Sequence, residues 1–224
     1  MASYGSQQTA SVRFRRLLAE TLLSRKGAKP LAELNALRFP APGSLRHFWY
    51  DGLLSSVSES LSLNFIPLFA LKMGATAREI GILNASAGFV GTMMLLPGAR
   101  LVEWWGSRKN FVVLTYSLAR LTLLLLALIP LGVSPATAVW LIIILNLARV
   151  VFGNLGLPAW TSLSASVVPE KIRGRYFASR NGIITIASII FAPLAGYLIV
   201  STTGATGYQL TFGLAFIFGA AALW

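Results

Sequence analysis

Apolar residues in this chain gather into six long runs separated by short polar punctuation. Each run approaches the roughly 20 residues that an α-helix needs to cross a hydrocarbon core of about 30 Å. The runs lie near residues 48–71, 79–101, 110–131, 137–160, 177–200 and 208–224. They predict an all-α fold, an integral membrane bundle of six transmembrane helices over residues 46–224, preceded by a basic tail over 1–45. Thr76-Ala-Arg-Glu79 has the spacing of a capping box, which satisfies orphan amides where the second run begins. Gly81, Ala85, Gly88 and Gly91 in that run are small enough to let helices approach closely. The connections around Gly74, Ser134-Pro135 and Gly204 are short.

The first run departs from plain hydrophobicity. FWYDGLLSSVSESLSLNFIPLFAL carries Asp51, Glu59, Asn64 and five serines. An ionisable group at membrane depth costs roughly 2.5 to 3.5 kcal/mol on insertion scales, so Glu59 must face protein or water. Asp51, Ser55, Ser58, Glu59 and Ser62 fall on one helical stripe, with Ser56, Ser60 and Asn64 in the adjacent row. Leu53, Leu54, Val57, Leu61 and Phe65 form the apolar side. A lone membrane serine commonly bonds back to its own backbone, but the set with its glutamate predicts the lining of a polar pathway.

Composition narrows the class. The chain is 55% hydrophobic and 12% charged, with a mean hydropathy of +0.69, values of a membrane protein rather than a soluble one. Its formal charge of +12 does not imply nucleic acid, because the basic residues occupy loops between apolar runs instead of one soluble face. The absence of cysteine removes disulfides and thiolate metal or redox chemistry. No nucleophile with an adjacent base, no metal-ligand cluster and no phosphate-cradling glycine loop stands out, so neither enzyme chemistry nor a cofactor is implied.

The loop charges are one-sided. Arg13, Arg15, Arg16, Arg25, Lys26, Lys29, Arg38 and Arg46 precede the first run. Arg100, Arg108 and Lys109 lie between the second and third, and Lys171, Arg173, Arg175 and Arg180 surround the turn between the fourth and fifth. The opposite connections hold only Lys72 and Arg78. By the positive-inside rule, the N-terminus and both basic loops are expected in the cytoplasm, with the bundle in the cytoplasmic membrane. Phe14, Leu18 and Leu22 among the tail's arginines fit a short helix on an anionic surface, or a disordered tail. Pro30, Pro40, Pro42 and Gly43 are expected to break any longer element before the first run.

Two cations sit inside apolar runs, Arg120 in the third and Arg149 in the fourth. Counted at 1.5 Å per residue, Glu59, Arg120 and Arg149 all lie about 15 Å deep, near the midplane. One carboxylate and two guanidinium groups at one depth are expected to find each other. They would serve either as an ion pair that fixes helix packing or as a proton or substrate site. Asn146, Arg149, Gly153, Gly156 and Trp160 share a helical face, where small residues leave room for a ligand.

Gly98-Ala-Arg-Leu-Val-Glu103-Trp-Trp-Gly106-Ser-Arg108-Lys109 resembles the signature that the major facilitator superfamily carries between its second and third helices. Glu103 stands where aspartate is usual, Trp104 where a base is usual and Ser107 where an arginine is usual. Arg149 followed four residues later by Gly153 resembles a second motif, which the family associates with proton coupling. Val168-Pro-Glu170-Lys-Ile-Arg173-Gly-Arg175 resembles the loop after helix four, and Pro193 with Gly196 resembles part of the antiporter signature of helix five, where the proline is expected to bend the helix. The resemblance covers about residues 46–224. It implies that Glu103, Gly106, Arg108 and Lys109 gate the cytoplasmic side.

Family members have two six-helix halves, so the chain is read as the N-terminal half of a longer protein, or else as half of a homodimer. The expected function is secondary transport of a small solute across the lipid bilayer by rocking against a second half. Glu59 would be the proton acceptor, with Arg149 its electrostatic partner or the anchor of an anionic substrate. Asp51, Asn64, Asn146 and Arg120 would complete the pathway. The competing class is a non-transporting scaffold or sensor that retains the bundle.

Overall fold

The computed structural model describes residues 42–223. The basic tail ahead of residue 42, with its two alternatives, and Trp224 lie outside the described residues. Among the described residues there is helix and turn but no strand. The six predicted spans map onto six helical units, two of them broken.

The first unit is α1 (Pro42–Ser62), a 3-10 turn (Leu63–Phe65) and α2 (Ile66–Lys72). Pro42 and Gly43 open α1 instead of interrupting it, since a proline in the first helical turn gives up an amide that has no partner there. The break after Ser62 follows from Pro67. Proline has no N–H to offer the carbonyl four residues back, and its ring crowds that carbonyl, so the backbone tightens locally.

The second unit repeats the device more strongly. It comprises α3 (Ala77–Met93) and α4 (Leu95–Trp105), bent by 43° where one continuous span was expected. Pro97 leaves the Met93 carbonyl without its donor, while the flanking bonds from Met94 N–H to Val90 O and from Gly98 N–H to Met94 O remain at 2.9 and 3.0 Å. The predicted capping box at the start of α3 is present. Thr76 N–H donates to Glu79 Oε2 at 2.7 Å, and Glu79 N–H donates to Thr76 Oγ1 at 3.4 Å.

The remaining units are α5 (Arg108–Leu128), which ends in a 3-10 turn over Ile129–Leu131, then α6 (Pro135–Val167), α7 (Glu170–Ser201) and α8 (Thr206–Ala222). Among the described residues, four helical stretches are long and apolar enough to cross a membrane, five if the bent pair counts as one. α8 has 17 residues, or about 25 Å of helix. α6 and α7 run to 33 and 32 residues, longer than the expected 137–160 and 177–200, and only Val168 and Pro169 connect them.

Packing divides the bundle into two groups. α1 packs on α8 and α7, α6 packs on α3 and α4, and α5 bridges them by packing on both α6 and α8. Lipid tails are as apolar as leucine, so close van der Waals fit and small residues supply the cohesion here. A methyl group on Gly98 would strike the backbone of Leu155, and one on Gly91 would strike Val150 and Asn154, which brings α4 and α3 hard against α6. Gly81, Ala85 and Gly88 do not act this way. They are exposed, and a methyl group on Gly81 or Gly88 would meet nothing.

The densest core lies toward the end of the short turns. Phe69 packs its ring against Tyr208 and Phe212, with centroids 5.2 and 5.4 Å apart, above buried Leu61, Leu126 and Ile142. The basic loops mark the other end, toward which the bundle is hollow.

Candidate functional site

A cavity of ≈ 350 Å³ opens between α1, α5, α6 and α7. α1 contributes Asp51, Gly52, Ser55, Ser56 and Glu59, and α5 contributes Tyr116, Ala119 and Arg120. From α6 come Arg149, Gly153, Asn154, Leu157 and Trp160, and from α7 come Arg180 and Ile184. The predicted polar stripe of α1 therefore splits. Asp51, Ser55 and Glu59 face the cavity, whereas Ser58 is fully buried toward α8 and donates to the Ala215 carbonyl at 2.6 Å. Ser62 bonds back to Ser58 O at 2.8 Å, and Ser60 reaches Ser188 on α7 at 3.0 Å.

Arg180 is the residue that loop counting misplaces. Because α7 starts at Glu170, Arg180 stands about 15 Å inside the helix. It is 7% exposed, and its Nη2 meets Asp51 Oδ2 at 3.4 Å. The guanidinium lies 5.1 Å from the ring centres of both Phe48 and Trp160, which stack on each other at 5.6 Å. A cation above two desolvated aromatic faces gains a quadrupole attraction that an exposed loop arginine lacks. Gly52 leaves the room: any side chain there would overlap the Arg180 guanidinium. A cluster of Phe48, Asp51, Trp160 and Arg180 thus ties α1, α6 and α7 together at the basic end of the cavity. The available sequence signal was Pro169-Glu170, a helix-start pattern that places Arg180 ten residues inside.

Arg120 and Arg149 both line the cavity with Glu59, but the expected ion pairs are not formed. Among the described residues, no arginine nitrogen comes within 4.0 Å of the Glu59 carboxylate, and its side chain is exposed to the cavity. Arg120 Nη1 instead donates to Ser58 Oγ at 3.1 Å, with its aliphatic stem against Gly219 of α8. Arg149 Nη2 donates to Asn146 Oδ1 at 3.5 Å, and its Nε is buried without a partner. Each guanidinium is anchored on its own side of the cavity, which keeps them off the carboxylate.

The other predicted residues divide. Asn146 is 5% exposed and supports Arg149 from outside the lining. Asn64 lies in the 3-10 turn after α1, exposed and away from the cavity, because the break imposed by Pro67 ends the stripe. Gly153 leaves open space as expected, whereas Gly156 is filled by Thr115 and Tyr116 of α5. Tyr116 and Asn154 are lining residues that the stripe argument did not reach.

Glu103, Arg108 and Lys109 are exposed around the turn between α4 and α5. Gly106 ends α4 at φ +75°, a left-handed conformation that glycine adopts without strain. Arg175 is exposed, while Arg173 Nη2 donates to the carbonyls of Ala165 and Val168 at 2.8 and 3.4 Å, closing the last turn of α6. Pro193 does not break α7, which continues unbroken to Ser201 past half-buried Gly196. One lost bond in so long a helix leaves the turns on either side in place. No three acidic or histidine side chains converge as a metal site among the described residues.

A multi-pass helical membrane protein with a charged cavity between its helices is the class that this geometry defines. The family model described as Major Facilitator Superfamily matches residues 52–224, from the middle of α1 through α8. The chain belongs to that superfamily and is a transporter of its type. Comparison with curated proteins and with solved structures returned no match.

Proposed function

We propose that this chain forms one six-helix half of a proton-coupled secondary transporter that carries a small solute through the ≈ 350 Å³ cavity by alternating access. The observation that carries the reading is Glu59, a carboxylate at membrane depth facing the cavity with no ionic partner among the described residues. The carboxylate carries the proton between two surroundings, one open to the cavity and one beside an arginine. The guanidinium groups of Arg120 and Arg149 supply the second surroundings.

The basic loops face the cytoplasm in this reading, in the cytoplasmic membrane, with the N-terminus on the same side. The cavity then opens toward the cytoplasm while the Phe69 core closes the far side. A second six-helix half covers the open flank, because lipid against Glu59 would be costly. Glu103, Arg108 and Lys109, held at the turn made by Gly106, are the groups that meet that half when the cytoplasmic side closes.

Proteoliposomes loaded with a pH-sensitive dye test the coupling. Adding a transported solute should drive proton movement through the whole protein and none through Glu59→Gln, although solute exchange without a gradient persists. Undiminished proton movement in Glu59→Gln would remove the carrier role.

A further inference from the structure

The charges of the cavity do not cancel. Three guanidinium groups face two carboxylates, and Asp51 is already taken by Arg180 at 3.4 Å. Glu59 is left with both Arg120 and Arg149. Each guanidinium carries five N–H donors, and a carboxylate only accepts. Among the described residues, Arg120 uses one donor on Ser58, Arg149 makes a single long contact to Asn146, and the Arg149 Nε–H is buried with nothing to receive it. A buried donor without an acceptor is costly, and more so when charged. Two forks with vacant donors, on the adjacent helices α5 and α6 that wall one cavity, describe a receptor for an acceptor-rich, negatively charged group. The rest of the lining combines an apolar and aromatic stretch, Leu157, Trp160, Ile184 and Ala119, with Ser55, Ser56, Tyr116 and Asn154.

We propose that the cavity binds a small organic anion, its charged group held between Arg120 and Arg149 and its hydrocarbon part against Leu157 and Trp160. The proposal rests on reading the cavity as the transport site. It also gives Glu59 a second consequence. The groups around Glu59 are Asp51 on its own helix, Tyr116 and Arg120 from α5, Arg149 from α6 and Arg180 from α7; the titratable residue of α8, Tyr208, packs on Phe69 at the far end. Protonating Glu59 leaves both arginines unopposed, so the anion binds more tightly on acidification. By reciprocity, bound anion draws a proton onto Glu59. Anion and proton therefore travel together.

Titration calorimetry on the purified chain in micelles reads this without transport. The probes are benzenesulfonate, which stays ionised at every pH used, with benzylamine and benzyl alcohol as the matched cation and neutral molecule. Benzenesulfonate should bind best, and more tightly as the solution is acidified. Arg149→Gln should weaken it about 10- to 100-fold, the worth of a charge-assisted hydrogen bond, and Arg149→Lys less. Glu59→Gln should bind it well with the pH dependence lost. Preference for benzylamine, or no benzenesulfonate binding up to millimolar concentration, would overturn the proposal even where a variant fails to fold, because the three probes are compared on the unmodified chain. Failure of the proton-movement test with benzenesulfonate still bound would sink the coupling and keep the anion site.

Discussion

Gly52 and Arg180 share one volume between α1 and α7, and the pair shows how a single missing side chain can set the position of a charge. Any β-carbon at Gly52 displaces the guanidinium from Asp51 and from the Phe48 and Trp160 rings. Gly52→Ala should therefore lower the thermal midpoint of the chain in micelles, and the loss should largely vanish in an Arg180→Ala background. Asp51→Asn leaves Arg180 buried and uncompensated, a change that costs about 3 kcal/mol for pairs of this kind. The Asp51→Asn/Arg180→Gln double variant should lose less than the two single losses added together, as melting monitored by tryptophan fluorescence will read. An additive double variant would mean that the ion pair contributes nothing. At this scale the sequence revealed Asp51, Glu59, Arg120 and Arg149 as polar residues in apolar runs, because charge in a hydrophobic stretch is visible without a structure. Arg180 escaped, since charge counting treats an arginine near a turn as part of it. The separation of Glu59 from its two arginines also escaped, because Ser58 and Asn146 anchor the guanidinium groups through side-chain geometry.

Pro67 and Pro97 govern the elements. Both sit inside predicted spans and each frees one carbonyl; at Pro67 a 3-10 turn interrupts the helix, and at Pro97 the helix resumes at 43°. Pro97→Ala restores the donor to Met93 O and should straighten α3 into α4. Spin labels at Ala77 and Glu103 should then move apart by about 3 Å, from 1.5 Å per residue and removal of the 43° bend. An unchanged distance would show that packing on α6 holds the bend and that the proline merely tolerates it. Among the described residues, hydropathy located the helical units because it averages over about 20 residues, and it passed over the breaks for the same reason. Local chemistry succeeded where it was used, as in the Thr76–Glu79 capping box. The outward turn of Gly81, Ala85 and Gly88 depends on the rotation of α3 about its axis, which neighbouring helices decide.

For the whole molecule, the two packing groups bridged by α5 leave one end solid and the other hollow. The chain has no cysteine, so single cysteines report topology against a clean background. Cysteines at Ser107 and Gly174 should react with an impermeant maleimide from one side of the membrane, and cysteines at Gly74 and Gly204 from the other. Ser107 and Gly174 labelling from opposite sides would break the proposed topology. Loop charge supplies that topology as an expectation from the sequence, whereas the cavity, assembled from four helices distant in sequence, could not be read there.

The short link between α6 and α7 limits how the hollow end can change. Val168 and Pro169 connect helices that belong to different packing groups, and three Cα steps from Val167 to Glu170 reach at most about 10 Å. Arg173 shortens that tether further by bonding Ala165 and Val168. The link therefore behaves as a door chain: however the two groups move, α6 and α7 stay joined at that corner.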